Sequence, residues 1–162
     1  LAPITRRGGL YTQKKYSLED IKELPLVMRE DGSGTRGAFI ELFGIEEKDA
    51  NGDKVDLTIP TAAITNSTSV MMTSVAGDAN AIGYISLGSL NNTVKALSID
   101  GAEATAENVK SGTYKVARPF NIVTKDGVSD VAQDFIDYIM SDEFQNSQVE
   151  KLGFIPVSKM KK

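Results

Sequence analysis

The stretch that decides the fold runs from Leu26 to Phe43 and reads Leu-Val-Met-Arg-Glu-Asp-Gly-Ser-Gly-Thr-Arg-Gly-Ala-Phe-Ile-Glu-Leu-Phe. Its apolar start, residues 26–28, predicts a strand, and the amphipathic run 35–43 predicts a helix with Gly44 as the C-cap. A glycine-rich loop between them leaves backbone N–H groups free at a helix N-terminus, where the macrodipole favours an anion. The stretch therefore predicts an oxyanion site.

A purely structural loop is the alternative interpretation of the same residues. Ser33 or Thr35 would then serve only as the N-cap of the helix, and short glycine motifs also occur by chance. The clustering of Arg, Asp, Ser and Thr within residues 29–36 favours the anion site. The residues alone leave both interpretations open.

Composition limits the chemistry that this chain can perform. With 162 residues, 41% apolar and 25% charged, the chain has the size and composition of one globular domain. It contains no cysteine and no histidine, which excludes disulfides, thiolate or histidine metal sites and His-based catalytic triads. The Gly-x-x-x-x-Gly-Lys-Ser/Thr pattern of a nucleotide-binding loop is also absent, so we expect no enzyme and no cofactor.

The charge distribution argues against nucleic acid as a partner. The net charge is −4, and the acidic excess falls in residues 26–158, because basic residues outnumber acidic ones in 1–25 and in the tail 159–162. A body of that sign repels polyanions. Any anion must therefore be held by local dipoles and one or two arginines, which is what the loop offers.

The segments before and after the loop carry weaker patterns. Residues 1–16 predict a leader or a loosely attached arm without the apolar region of a signal peptide, and a capping box at 17–20 predicts a short helix that stops at Pro25. Residues 46–56 predict a solvated hairpin around an Asn-Gly turn; a calcium loop is disfavoured because its sixth and twelfth positions carry Lys and Pro.

The remaining chain alternates predicted strands and helices. Residues 65–69 precede a helical run that ends at Gly77, so they form either an amply supplied N-cap or a second anion-facing N-terminus, and the N-cap is favoured. Strands are predicted at 81–85, 94–99 and 120–124, and helices at 105–110, from Ser129 to Met140, and from Ser141 to Gly153. This alternation predicts an α/β layered domain.

Four stretches together resemble the ABC-type phosphate-binding proteins of bacteria, and they occur in the order of that family: residues 29–36 (Arg-Glu-Asp-Gly-Ser-Gly-Thr-Arg), 81–88 (Ala-Ile-Gly-Tyr-Ile-Ser-Leu-Gly), 114–120 (Tyr-Lys-Val-Ala-Arg-Pro-Phe) and 153–157 (Gly-Phe-Ile-Pro-Val). The resemblance covers residues 26–158 and implies one three-layer α/β/α lobe of the type II periplasmic-binding-protein fold, with a mixed sheet flanked by helices. It further implies that 26–113 form the phosphate-loop lobe and that 114–158 supply a strand and C-terminal helices to a second lobe. Residues 1–25 are an extension that the resemblance does not place.

The resemblance also implies the ligand and its contacts. Inorganic phosphate would be bound by Arg29, Asp31, Ser33, Gly34 and Thr35. Arg29 would supply a charge-assisted contact, and Asp31 would accept a hydrogen bond from a protonated phosphate, hold Arg29 in place, or do both. Arg36 is assigned to the helix surface. A further family segment with a Gly-Ser-Ser/Thr loop and an acidic contact has no counterpart here, so the site is expected to be one half of a complete one.

The function implied is that of the solute-binding component of an ABC-type phosphate uptake system. Its expected partners are inorganic phosphate, a membrane permease, and either a missing lobe segment or a second chain. The expected location is extracytoplasmic, periplasmic or anchored at the cell surface in the full-length protein. The alternative is a structural or interaction module that keeps the fold without the ligand.

Overall fold

The computed structural model describes residues 1–11, 16–17, 20–21, 26–58 and 62–160. Strands within these ranges are β1 (Ala2–Arg6), β2 (Val27–Arg29), β3 (Glu46–Lys48), β4 (Lys54–Asp56), β5 (Ala63–Thr65), β6 (Ile82–Ile85) and β7 (Val94–Ala96). Helices are α1 (Gly34–Leu42), α2 (Thr68–Gly77), α3 (Ala106–Lys110), α4 (Asp130–Met140) and α5 (Asp142–Phe144), with a π-helical turn at Gln145–Val149 and 3₁₀ turns at Leu87–Ser89 and Val157–Lys159.

A mixed sheet forms the centre of the molecule. Strand β1 pairs antiparallel with both β6 and β7, and β2 pairs parallel with β5. A parallel bridge between Leu26 and Ile82 joins the two groups, so that the order across the sheet is β5-β2-β6-β1-β7. The end of β2 therefore lies near the middle of the molecule, where the loop of residues 30–33 begins.

The central position of β1 corrects the prediction for the N-terminal residues. Residues 1–16 were predicted to be a leader or loosely attached arm, but Ala2, Ile4 and Thr5 are completely buried. The strand contains Pro3, a residue that normally argues against a central strand because it cannot donate a ladder hydrogen bond. The Pro3 carbonyl still accepts from the Leu97 amide at 2.9 Å, so the strand keeps an acceptor there.

One helix covers each face of this sheet. Phe39 of α1 packs with Met28 and Tyr84 in one hydrophobic cluster, whereas Met71 of α2 packs with Val27 in the other. Neighbouring strand residues belong to opposite clusters because successive side chains point to opposite faces of a sheet. The predicted three-layer α/β/α arrangement, with a mixed sheet between helices, is confirmed.

Local predictions for the short connections are also confirmed. Residues 46–56 form the hairpin of β3 and β4 around a turn in which Gly52 has a φ of +88°. The capping box is present, since the Ser17 amide donates to the Asp20 carboxylate at 2.8 Å and the Asp20 amide donates to the Ser17 hydroxyl at 3.1 Å. The rest of the helix predicted up to Pro25, and the end of the basic tail, lie mostly outside the described residues.

The C-terminal segment differs from this body. Helix α4 begins after Ser129 as predicted, and the Ser129 hydroxyl accepts from the Ala132 amide at 3.3 Å. Its apolar stripe, however, is not covered: no residue of α4 is buried, and Phe135 is 62% exposed. The side-chain amide of buried Gln145 links this helix to residues 156–158. Its Nε2 donates to the Ile139 carbonyl at 2.7 Å, and its Oε1 accepts from the Val157 backbone amide at 3.1 Å.

The strand predicted at 120–124 does not form. These residues are exposed, and in the part of the chain that the structure describes no strand pairs with them. A strand requires a neighbour whose N–H and C=O groups complete its ladder, so an apolar run alone is insufficient.

Among the described helices, none is long and apolar enough to cross a membrane.

Candidate anion-binding site

The candidate site begins at the end of β2, which two hydrogen bonds with Thr65 of β5 hold in place. The Thr65 hydroxyl donates to the Met28 carbonyl at 2.9 Å, and this bond is buried. The Glu30 amide donates to the Thr65 carbonyl at 3.0 Å, which extends the parallel pairing by one residue. Because the strand is held to its last residue, the loop that follows starts from a rigid base.

Glycine and serine then turn the chain into helix α1. Gly32 has a φ of +80°, a left-handed conformation that glycine adopts without steric cost. The Ser33 amide donates to the Glu30 carbonyl at 3.3 Å, and the Ser33 hydroxyl accepts from the Arg36 amide at 3.4 Å. Ser33 is therefore the N-cap, which decides between the two candidates that the sequence offered.

The N-terminus of α1 offers hydrogen-bond donors to an anion. The amides of Gly34 and Thr35 donate to no other group among the described residues. The hydroxyls of Ser33 and Thr35 stand beside these amides in the sequence, and the positive end of the helix macrodipole adds to their attraction for negative charge. Three of the five predicted contact residues, Ser33, Gly34 and Thr35, thus belong to one helix N-terminus.

Arg29 lies at the same end of the sheet with a mostly buried side chain, 15% exposed. Its guanidinium forms a two-pronged ion pair with Glu30, with Nε–Oε2 at 2.7 Å and Nη2–Oε1 at 2.9 Å. The hydrogen bond from Arg29 holds the pKa of Glu30 well below its usual range, at about 2. The carboxylate that orients Arg29 is thus Glu30, which the sequence analysis did not single out.

Asp31 instead pairs with Arg36. The Asp31 Oδ1 to Arg36 Nη1 distance is 2.9 Å, and the Asp31 side chain is 95% exposed. The suggestion that Asp31 holds Arg29 in place is therefore not realised in this structure. Arg36 was assigned to the helix surface, and that is wrong: its side chain is only 15% exposed and also donates to the Arg29 carbonyl at 3.1 Å and to Asp56 at 2.7 Å.

Tyr84 contacts both the end of β2 and helix α1. Its hydroxyl accepts from the Arg29 amide at 3.0 Å, and its ring stacks on Phe39 with 4.2 Å between the ring centroids. The sequence showed Tyr84 only as part of a buried strand, because nothing in a short apolar run marks a hydroxyl that bonds to the end of a neighbouring strand. The side chain links β6, β2 and α1 at one point.

A second helix N-terminus adjoins the first through Arg29. The Ser67 hydroxyl accepts from the Val70 amide at 3.2 Å, so Ser67 is the N-cap of α2, as favoured from the sequence. The next residue, Thr68, accepts from Arg29 Nη1 at 3.3 Å. One guanidinium therefore connects the loop before α1 with the start of α2.

Arg118 reaches the loop from a distant part of the sequence. Its Nη2 donates to the Gly34 carbonyl, in the first turn of α1. In the sequence it was noted only within the stretch 114–120.

Among the described residues no group of three acidic side chains comes together as a cation site.

Comparison with known proteins identifies the family. The model of the PBP superfamily domain matches residues 18–143. The chain is 60% identical, over 137 residues, to the phosphate-binding protein PstS 2 of Streptococcus agalactiae; the match covers 84% of this chain and 46% of that protein. The chain thus spans about half the length of such curated relatives.

Solved structures share the fold. The crystal structure of a Clostridium perfringens protein, assigned as a phosphate ABC transporter substrate-binding protein and containing phosphate, matches with a TM-score of 0.81 and 34% identity, over 96% of this chain and 68% of that one. A phosphate-binding protein of a Streptococcus pneumoniae phosphate ABC transporter matches with a TM-score of 0.71 and 50% identity, over 82% of this chain and 51% of that one. The layered α/β fold is therefore shared with these proteins, and the chain belongs to the PBP superfamily domain family.

Proposed function

We propose that this chain binds hydrogen phosphate as part of the solute-binding component of an ABC-type phosphate uptake system. The observation that carries the proposal is the N-terminus of α1, where the Gly34 and Thr35 amides have no acceptor among the described residues and Arg29 lies nearby with a mostly buried side chain. The names and the bound phosphate of the relatives support the same ligand. The proposal concerns binding and involves no catalysis.

In this proposal each group has a defined task. The amides of Gly34 and Thr35, with the hydroxyls of Ser33 and Thr35, donate to the phosphate oxygens. Arg29 supplies the charge, and because Glu30 fixes its guanidinium on one side, the Nη1 that faces Thr68 is the atom best placed to turn toward an anion between the two helix N-termini. Such a site selects an oxyanion by dipoles rather than by a basic surface.

The direct test is stabilisation by inorganic phosphate. A ligand that binds only the folded state stabilises it by about 2.7 kcal/mol at one hundred times its dissociation constant, so the melting temperature should rise with phosphate and not with sodium chloride of equal ionic strength. Arg29→Ala should weaken phosphate binding by about 2–5 kcal/mol in calorimetry, since it removes a buried charged contact.

The matched control is Lys95→Ala, which removes an exposed cation from β7, at the edge of the sheet opposite β5. It should bind phosphate as tightly as the unmodified chain. If millimolar phosphate leaves the melting temperature unchanged, the proposal fails and a ligand-free structural or interaction module becomes the better description.

Asp31 is proposed to read the proton on the ligand. Hydrogen phosphate can donate to a carboxylate, whereas sulfate near neutral pH cannot, so Asp31 would meet only acceptors on sulfate. Asp31→Asn should therefore raise sulfate affinity relative to phosphate. Asp56→Asn is the matched control, because Asp56 pairs with the same Arg36 guanidinium. An equal rise in sulfate affinity in both variants would show that Asp31 acts only through Arg36.

Of the predicted second-lobe segment 114–158, we further propose that the part beyond Arg118 contributes to a second lobe, because Tyr114 and Val116 are buried with Phe39. Val131 and Phe135 lie four residues apart on α4 and are 80% and 62% exposed, so they form one exposed apolar face rather than isolated surface residues. About a third of the matched C. perfringens chain has no counterpart here, so additional chain of the same binding protein is the favoured cover, and a second copy is the alternative. Light scattering over a concentration series separates them: a dimer that disappears in Phe135→Ser indicates a second copy.

The same family relation supports the remaining partners. We propose that the full-length protein works outside the cytoplasmic membrane and delivers phosphate to the permease of its transporter. Restoration of phosphate uptake in cells that lack their own phosphate-binding protein, by the full-length protein but not by its Arg29→Ala form, would test both points together.

A further inference from the structure

Residues 114–118 are firmly packed against the layer that contains α1. Tyr114 and Val116 are buried in the same hydrophobic cluster as Phe39. The Tyr114 hydroxyl donates to the Leu1 carbonyl at 3.0 Å, and the Tyr114 amide donates to the Asn108 carbonyl at 2.9 Å. The backbone from which Arg118 extends is therefore fixed relative to the helix.

Arg118 uses this position to contact the first residue of α1. Its Nη2 donates to the Gly34 carbonyl, and a Cβ added at Gly34 would lie 3.5 Å from that nitrogen. The guanidinium thus lies alongside the first turn of the helix. A glycine at position 34 leaves this side of the turn open to it.

The contact acts on the peptide group that matters for anion binding. The Gly34 carbonyl and the Thr35 N–H belong to one planar peptide group and point in opposite directions. A cationic donor on the carbonyl oxygen fixes the orientation of that group and polarises it, so the N–H becomes a stronger donor on the other side. Arg118 therefore lies behind the amide that faces the proposed phosphate.

The charge of Arg118 is also less compensated than that of the other two arginines near the loop. Arg29 pairs with Glu30, and Arg36 pairs with two aspartates, Asp31 and Asp56. Within the described ranges, Arg118 pairs with no carboxylate and donates to the neutral Gly34 carbonyl. No described carboxylate therefore neutralises its positive charge beside the first turn of α1.

We propose that Arg118 is a positioning residue of the anion site, which orients and polarises the Gly34–Thr35 peptide group for phosphate. This inference rests on the proposed phosphate function. It assigns to residue 118 a role that the loop sequence 29–36 does not reveal, because the two segments are separated by more than eighty positions and meet only in the folded chain.

The test compares Arg118→Ala, Arg118→Lys and Lys115→Ala in the whole chain. Lys115 is an exposed cation three residues earlier whose side chain makes no hydrogen bond or ion pair with another described residue, so its removal changes the net charge equally. Calorimetry with inorganic phosphate should show roughly threefold weaker binding for Arg118→Ala, because the Thr35 N–H donates to phosphate more weakly once the cooperative strengthening by Arg118 is lost. Arg118→Lys should recover part of that loss, and Lys115→Ala should match the unmodified chain.

A second measurement does not depend on phosphate. In the ligand-free chain, the Thr35 amide proton should shift upfield in Arg118→Ala, because its peptide group is less polarised, while the Gly37 amide stays in place. Equal phosphate affinity in Arg118→Ala and Lys115→Ala would overturn the proposal, and so would an unchanged Thr35 amide. If the unmodified chain fails to bind phosphate, the proposed function fails, and the Thr35 shift alone then decides whether Arg118 polarises the loop.

Discussion

The two amphipathic helices α1 and α4 show how differently the body and the C-terminal segment of this molecule are built. Helix α1 buries Phe39 completely against the sheet, whereas α4, which has the clearer apolar stripe in the sequence, buries none of its residues. An apolar stripe indicates that a face needs cover and does not say what covers it. In the body, residues 26–118 with β1, the sheet buries the apolar faces of helices α1 and α2. In the segment 119–160, no described element buries the apolar face of α4.

The largest effect that distinguishes these regions is expected from a pair of phenylalanine truncations. Phe39→Ala should lower the free energy of unfolding by about 3–5 kcal/mol, because it opens a cavity between α1 and Tyr84. Phe135→Ala on α4 should change it by less than about 0.5 kcal/mol, since its ring is already exposed to water. Urea denaturation followed by circular dichroism measures both.

The pair is matched because each variant removes the same ring from a helix. A large destabilisation by Phe135→Ala in dilute solution would mean that α4 is covered there, and the contrast between the regions would not hold. A small effect of Phe39→Ala would instead show that the body repacks around the lost ring.

A smaller effect is expected where the two regions touch. The 3₁₀ turn of Leu87–Ser89 packs against the loop before Phe154, and a Cβ added to Gly88 would lie 2.6 Å from the Leu152 carbonyl oxygen. Gly88→Ala should therefore cost about 1–3 kcal/mol, as overpacking against backbone usually does.

Gly37→Ala provides the control for this glycine. Gly37 lies inside α1 with nothing within 4 Å of an added Cβ, so alanine there should stabilise the chain by about 0.5–1 kcal/mol. Hydrogen exchange at residues 150–154 locates the change. If Gly88→Ala leaves stability and exchange unchanged, the C-terminal segment does not depend on this contact.

The sequence predicted the local structure of residues 26–35 better than the contacts around it, because that structure depends on neighbouring residues. Ten consecutive residues, 26–35, contain the strand, the glycine turn and the N-cap. Their conformation depends on helix capping and on the backbone freedom of glycine. Contacts that are distant in sequence could not be predicted in this way: Tyr84 and Arg118 reach the loop from other elements, and β1 shows its central position only through its pairing. The strand predicted at 120–124 fails for the converse reason, since its local pattern has no described partner.

The smallest expected effect is a difference in the pH dependence of stability between two ion pairs. One is Arg29–Glu30 at the site, and the other is Lys159–Glu150 in the C-terminal segment. Glu30 has a pKa of about 2 because of its hydrogen bond from Arg29, below its ordinary value of 4.5. The unfolded chain therefore binds the proton more readily, so this pair stabilises the fold fully above about pH 4.5 and loses that contribution as the pH falls toward 2.

The matched variants are Glu30→Gln and Glu150→Gln. The hydrogen bond from Lys159 also lowers the pKa of Glu150, but that pair joins exposed side chains and should contribute little. Urea unfolding between pH 7 and 2 should show a stability difference between the unmodified chain and Glu30→Gln that shrinks as the pH falls, and a smaller difference for Glu150→Gln throughout. The guanidinium of Arg29 makes two hydrogen bonds to Glu30 at the end of a strand, so we expect it to be held more rigidly than Lys159 on its exposed turn. Equal pH dependence in the two variants would mean that the Arg29–Glu30 pair is no better ordered than the Lys159–Glu150 pair.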